Sequence, residues 1–187
     1  MKEKQIFVII GKTLSGKTTL IESIRDKMNA EFIISFTSRP MRDGEINGLD
    51  YHFVDYQEAL SAILNGNVIA PREYQPDATQ GVFPWYYGIY LEHIEKSDKD
   101  KVVIITDTEG LIDVRSYFDN VTAIYLELSK EEQSKRFNSR QEDLTYEQIR
   151  RIKDDDIQFT PAVADYIIDA SKSKAQIKKE VLKLING

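Results

Sequence analysis

The chain of 187 residues contains no cysteine, which excludes a disulfide framework, a thiolate metal site and a thiol nucleophile together. Histidine is nearly as scarce. His52 and His93, the two present, stand far apart in sequence without a metal-ligand pattern, and both read as structural or surface side chains. No apolar run approaches the ~18 residues a membrane span requires, and the opening residues Met1 to Gln5 are largely charged. A cytoplasmic protein with no membrane partner is expected. Cationic residues are in deficit, 25 Lys and Arg against 31 Asp and Glu for a net charge of -6. A polymeric nucleic-acid partner, which would demand a broad basic face, is therefore not expected. Any anion site has to be local.

What is present is a 41% hydrophobic composition, enough for one sizeable core, with no internal repeat, low-complexity tract or interdomain linker. Gln5 to Ile10, Val102 to Ile105 and Ala123 to Leu128 are continuous apolar runs bounded by turn signals. Such runs suit parallel strands covered on both faces, and they alternate with helical stretches, giving an α/β sheet. Ser129 with Glu132, Thr145 with Gln148, and Ser173 with Gln176 have the spacing of capping boxes and announce helix starts. Leu20, Ile21, Ile24 and Met28 mark one face of a helix ending near Met28. Two stretches break the alternation: Ser35 to Val54, and Pro71 to Trp85, which has three prolines and neither helical nor strand period. Long irregular segments of this kind are often binding loops.

Gly11-Lys12-Thr13-Leu14-Ser15-Gly16-Lys17-Thr18 fits G-x-x-x-x-G-K-[ST] between an apolar strand and an amphipathic helix, the context that gives the motif meaning. The glycines let successive N–H groups face one anion, and the following helix adds its positive dipole end. Lys17 would reach the β- and γ-phosphates of a nucleotide and Thr18 would offer its hydroxyl to Mg²⁺. The donor-binding set is this loop, Gly11 to Thr18, with Thr19. The loop alone does not name an acceptor.

The stretch Ser35-Phe36-Thr37-Ser38-Arg39-Pro40-Met41-Arg42-Asp43-Gly44-Glu45-Ile46-Asn47-Gly48-Leu49-Asp50-Tyr51-His52-Phe53-Val54 closely resembles the guanylate kinase pattern. Independently of the family, two arginines three apart on a proline-stiffened loop can hold one phosphate dianion by planar, bidentate bonds. By the resemblance, Ser35, Arg39, Arg42 and Tyr51 would bind the acceptor nucleotide, joined by Tyr87 of Tyr86-Tyr87-Gly88. A tyrosine pair is otherwise half-buried sheet packing. Asp107, after the strand ending at Thr106 and before Glu109-Gly110, resembles the family's Asp-x-[QE]-Gly turn and would hold magnesium-bound water or the acceptor nucleoside. Its alternative role is to cap the next helix.

Arg136, Arg140 and Arg151 have the spacing of the lid arginines of guanylate kinases, although Gln141 replaces the usual glycine. Arg136 and Arg140 share a helix face, and closing it over two nucleotides would place positive charge where the transferred phosphoryl develops its own. The resemblance implies a P-loop NTPase-type, mainly parallel sheet with flanking helices, a nucleotide-monophosphate-binding excursion and a helical lid. As a single domain over 1–187, its core would be 1–34, 98–128 and 162–187, its acceptor region 35–97 and its lid 129–161. The implied catalytic set is Lys17, Arg39, Arg42, Arg136, Arg140 and Arg151. The implied reaction moves the γ-phosphoryl of ATP, with Mg²⁺, to a nucleoside monophosphate, foremost GMP to GDP, in a monomer or homodimer.

Base recognition departs from the family. Where guanylate kinases place a glutamate against guanine this chain has Ala70, and Ile89 stands where they have serine or threonine after Y-Y-G. Glu73 is the candidate substitute. Two alternatives stay open: a kinase whose acceptor is a deoxynucleotide, modified nucleotide or sugar phosphate, and a catalytically silent module that binds a phosphorylated protein segment.

Overall fold

Strand Gln5–Ile10 carries the larger part of the chain: Ile6 to Ile10 are all buried, as a strand covered on both faces requires. The structure, a computed structural model, describes residues 4–75, 83–139, 152, 155 and 159–187. In chain order its elements are β1 (Gln5–Ile10), α1 (Lys17–Ile24), β2 (Glu31–Phe32), β3 (Phe36–Thr37), β4 (His52–Phe53), α2 (Tyr56–Leu64), β5 (Val68–Tyr74) and β6 (Trp85–Tyr90). These are followed by α3 (Leu91–Glu95), β7 (Lys101–Ile105), α4 (Thr108–Tyr117), β8 (Val121–Glu127), α5 (Lys130–Ser139), β9 (Tyr166–Asp169) and α6 (Lys174–Asn186). The chain divides into two compact units, Met1–Phe32 with Lys99–Gly187, and Ile33–Asp98.

The first unit holds a five-stranded sheet in the order β2-β7-β1-β8-β9, with every neighbouring pair parallel. Leu20, Ile21 and Ile24 of α1 and Ile177, Val181 and Ile185 of α6 cover Phe7, Ile9, Val103, Ile124 and Leu126 of the sheet. Each such side chain, fully buried, contributes roughly 1.5–3 kcal/mol. The helix after the phosphate loop is shorter than its apolar face suggests. Its last turn tightens into a 3₁₀ turn at Arg25–Lys27, and Met28 is already extended. Ser173 and Gln176 form the complete reciprocal capping box on α6. Ser129 Oγ accepts from Glu132 N at 3.2 Å, the expected first half of a box. The Thr145–Gln148 signal lies outside the described residues.

The second unit is a four-stranded sheet, β4-β3-β6-β5, with β3 parallel to β4 and β6 antiparallel to both β3 and β5. Asp55 caps α2 by accepting from Glu58 N. Gly88 of β6 has no room for a side chain: a Cβ there would lie 2.4 Å from Val68 Cγ1 and 2.8 Å from Phe36. The irregularity expected from Pro71 onward is corrected in part, since β5 continues through Pro71 to Tyr74. A proline is tolerated there because β5 is an edge strand and its register with β6 shifts between Ile69 and Arg72. Among the described residues no helix is long and apolar enough to cross a membrane.

Candidate active site

In the first unit the loop between β1 and α1 leaves the carboxyl end of a central parallel strand, where ligands of α/β sheets gather. Gly11 has φ 153, and a Cβ on it would meet the Leu126 carbonyl oxygen at 2.7 Å, so the first turn of the loop admits glycine alone. Gly16, at the N-cap of α1, provides no side-chain cap, and the first turn holds no acidic residue. The helix therefore presents uncapped N–H groups and its positive dipole end. Lys17 Nζ donates to the Gly11 and Lys12 carbonyl oxygens, the latter at 3.0 Å, and lies 3.4 Å from Ser15 Oγ. Its ammonium is also 5.6 Å from the centroid of the Phe159 ring. Thr18 and Thr19 are exposed on the first turn of α1.

The loop is gripped by side chains distant in sequence. Asp155 and Gln133 both bond to Thr13. Arg136 donates from Nη1 to the Leu14 carbonyl at 3.0 Å and from Nη2 to the Ala170 carbonyl at 2.5 Å, with Glu132 3.5 Å from its Nε. The one lid arginine among the described residues thus has its guanidinium on the phosphate loop itself; Arg140 and Arg151 lie outside the described residues. Burial pushes the Asp155 carboxyl up, partly offset by its bonds to Thr13 and Gln133 and by the charge of Lys17. No sequence signal singled out Asp155 or Gln133. Asp107 takes the capping role on α4, its Oδ1 accepting from Gly110 N at 2.7 Å.

In the second unit β3 leads directly to Arg39, which is only 4% exposed. Its Nη1 donates to Glu45 Oε2 at 2.7 Å and to the Pro40 carbonyl at 2.9 Å, and its Nη2 donates to Glu45 Oε1 at 2.5 Å. The guanidinium also lies 5.1 Å from the Tyr51 ring and 5.3 Å from the Phe53 ring. Tyr51 in turn meets Tyr87 edge-on at 6.1 Å. Arg39, Tyr51 and Tyr87 are thus brought together, while Arg42 joins through its backbone, its N–H donating to Glu45 Oε2 at 2.8 Å. Ser35 contributes its carbonyl to His52 N at 2.9 Å.

Glu45, within the motif but assigned no role from sequence, organises this loop. Burial alone would raise its pKa, but the bonds from Arg39 and from Arg42 N–H hold it below the usual carboxylate range. For Arg39 burial acts to lower the pKa, and the bond to Glu45 with the surrounding charges outweighs it, so the guanidinium stays firmly protonated.

The two positions that depart from the family pattern, Ala70 and Ile89, are buried and apolar. Ala70 is buried with φ 52, inside the bulge where Ile69 still pairs with Ile89 but Arg72 pairs with Tyr87. Glu73 pairs with Tyr86, whose ring packs on Tyr56 at 5.6 Å. Strand alternation therefore places Glu73 on the opposite strand face from Tyr87 and Tyr51. Ile89 is 1% exposed, part of the core. Because a left-handed alanine is strained, Ala70→Gly is expected to raise stability by about 0.5–1 kcal/mol, read as a higher thermal midpoint. His52 and His93, distant in sequence, pack edge-on at 5.1 Å, and burial followed by the charge of His93 lowers the His52 pKa.

The guanylate kinase family model matches residues 3–184. The chain belongs to the guanylate kinase family. The guanylate kinase of Fusobacterium nucleatum is 30% identical over 141 residues, spanning 74% of this chain and 72% of that protein. The guanylate kinase of Helicobacter hepaticus is 31% identical over 121 residues, 63% of this chain and 56% of that protein. The crystal structure of guanylate kinase from Anaplasma phagocytophilum matches with a TM-score of 0.65 at 21% identity, covering 98% of this chain and 85% of that one. That match bears on the fold. Membership of the guanylate kinase family places the chain among nucleotide-binding transferases, the nucleoside monophosphate kinases.

Proposed function

We propose that this guanylate kinase family member transfers the γ-phosphoryl group of ATP to GMP, giving ADP and GDP, with the donor on the Gly11 to Thr18 loop and the acceptor on the Ile33–Asp98 unit. The observation that carries the acceptor half is the state of Arg39. A guanidinium has five N–H donors, and the bonds to Glu45 and Pro40 use three of them. The two that remain, Nε–H and one on Nη2, share one edge, the fork that grips a phosphate. Glu45 thus spends one edge of the arginine and aims the other.

Lys17 would neutralise the β- and γ-phosphates, and the uncapped start of α1 would cradle them. Thr18, an exposed hydroxyl at that helix start, suits a hard cation that keeps most of its waters, and would hold Mg²⁺, which screens the phosphate charge. Arg42, Tyr51, Tyr87 and Ser35 complete the acceptor set. Asp107, at the α4 cap, would hold magnesium-bound water or the acceptor nucleoside, as the family resemblance implies, and Arg136, Arg140 and Arg151 would serve the donor side. No covalent intermediate is required, since phosphoryl transfer asks the protein for alignment and charge stabilisation.

The test is the product formed from ATP and an equimolar mixture of nucleoside monophosphates, identified by mass. GDP as the dominant product is expected. A different diphosphate would move the acceptor assignment. Tight phosphopeptide binding with no ADP formed would overturn the kinase reading altogether.

A further inference from the structure

Among the described residues Asp155 is the one buried acid, at 1% exposure. Both its oxygens are spent on a single residue 142 positions away, Thr13 of the phosphate loop, and on the glutamine that grips the same residue. Oδ2 accepts from Thr13 N–H at 2.8 Å and from Gln133 Nε2 at 2.6 Å, and Oδ1 accepts from Thr13 Oγ1 at 3.0 Å. Gln133 Nε2 also donates to the Thr13 carbonyl at 3.1 Å. The N–H, the hydroxyl and the carbonyl of Thr13 are therefore all engaged by two side chains that are themselves buried.

The next residue shows what this grip holds in place. Leu14 has φ 67, a left-handed conformation that an L side chain rarely adopts. Such a residue persists only where its surroundings over-determine it. Before it, Thr13 is fixed by Asp155 and Gln133, and the Leu14 carbonyl itself accepts from Arg136 Nη1. Sites built in advance of their ligand bind it more tightly, because the ordering cost has been met in folding.

We propose that Asp155 is a positioning residue for the phosphoryl donor: by holding Thr13 it keeps the phosphate loop in its anion-binding curvature before the nucleotide arrives. This rests on the reading that Gly11 to Thr18 binds the donor. Asp155 touches no substrate in this scheme, and its effect falls on donor affinity, leaving the acceptor untouched. Charge-assisted bonds from an N–H and a hydroxyl are stronger than their neutral counterparts, so the carboxylate does this better than the amide of the same shape.

The test uses the full chain with Asp155→Ala, Asp155→Asn and Thr13→Val. Alanine leaves a buried N–H without its acceptor, so KM for ATP and Kd for MgADP by calorimetry are expected to rise about tenfold, with KM for the acceptor within about twofold of wild type. Asparagine, which can still accept from Thr13 N–H and donate to its hydroxyl, is expected to cost about threefold. Thr13→Val combined with Asp155→Asn is expected to cost less than the sum of the two single effects, since both changes act on the same hydroxyl contact.

If ATP and acceptor KM move together with a falling thermal midpoint, Asp155 is a general structural residue and the proposal is overturned. An unchanged ATP KM in any folded variant overturns it too. Should Asp155→Ala not fold, Asp155→Asn and Thr13→Val decide. Wild-type protein that binds no MgADP would sink the donor reading itself, an outcome distinct from variants that bind as well as wild type.

Discussion

Lys17→Ala should lower kcat for phosphoryl transfer by about a thousandfold while leaving the protein folded, because it removes a charged donor aimed at developing negative charge. The ammonium sits at the start of α1, partly exposed, and donates to the Gly11 and Lys12 carbonyls of its own loop. These contacts lie within the loop, so far-UV circular dichroism and the thermal midpoint should barely change. Lys17→Arg should not restore the rate. A planar fork cannot occupy the place of a compact point charge packed among Gly11, Lys12 and Ser15. A coupled assay with MgATP reads the result. Activity within about tenfold of wild type in Lys17→Ala would mean that the loop does not neutralise the transferred group.

The legible parts of this chain are those whose signal is local. β1, β7 and β8 are apolar on both faces because each has a strand on either side and helices above and below, so their burial is written continuously along the sequence. The phosphate loop is legible because its glycines are each required, Gly11 by its approach to the Leu126 carbonyl and Gly16 by its φ of 92. The capping box on α6 needs only two residues three apart.

What escaped notice depends on contacts made at a distance. β2, β3 and β4 are two residues each, too short to show a period, and exist only because a neighbouring strand supplies their bonds. Pro71 reads as a break, yet an edge strand with a bulge accommodates it. Asp107 carries two compatible readings in sequence, and the bond to Gly110 N shows its capping role directly. Asp155 reads as one acid in the run Asp154-Asp155-Asp156, and its grip on Thr13 spans most of the chain.

Glu45→Ala is expected to cost about 3 kcal/mol of stability, at the low end of what breaking a buried ion pair costs because Glu45 keeps some contact with solvent. The side chain of Arg39 is 3% exposed and that of Glu45 18%, so the guanidinium left behind stays in the interior without its bidentate partner. The Arg42 N–H loses its acceptor in the same step. For a chain of this length the thermal midpoint should fall by roughly 6–12 °C. Acid should act in the same direction on the wild type. The folded-state pKa of Glu45 is depressed, so its contribution is fully present above the ordinary carboxylate pKa and is lost as the pH falls through the lowered value. The stability gap between wild type and Glu45→Ala should therefore narrow in that acid range and be constant near neutrality. Function should follow the same residue: with Arg39 no longer aimed, KM for the acceptor rises while KM for ATP holds. Replacing Arg39 as well, in Arg39→Met with Glu45→Ala, removes the stranded charge and should recover part of the lost stability without recovering acceptor binding. Equal midpoints for wild type and Glu45→Ala at neutral pH would show that solvent already screens the pair, and that Arg39 is held by its aromatic neighbours Tyr51 and Phe53 instead.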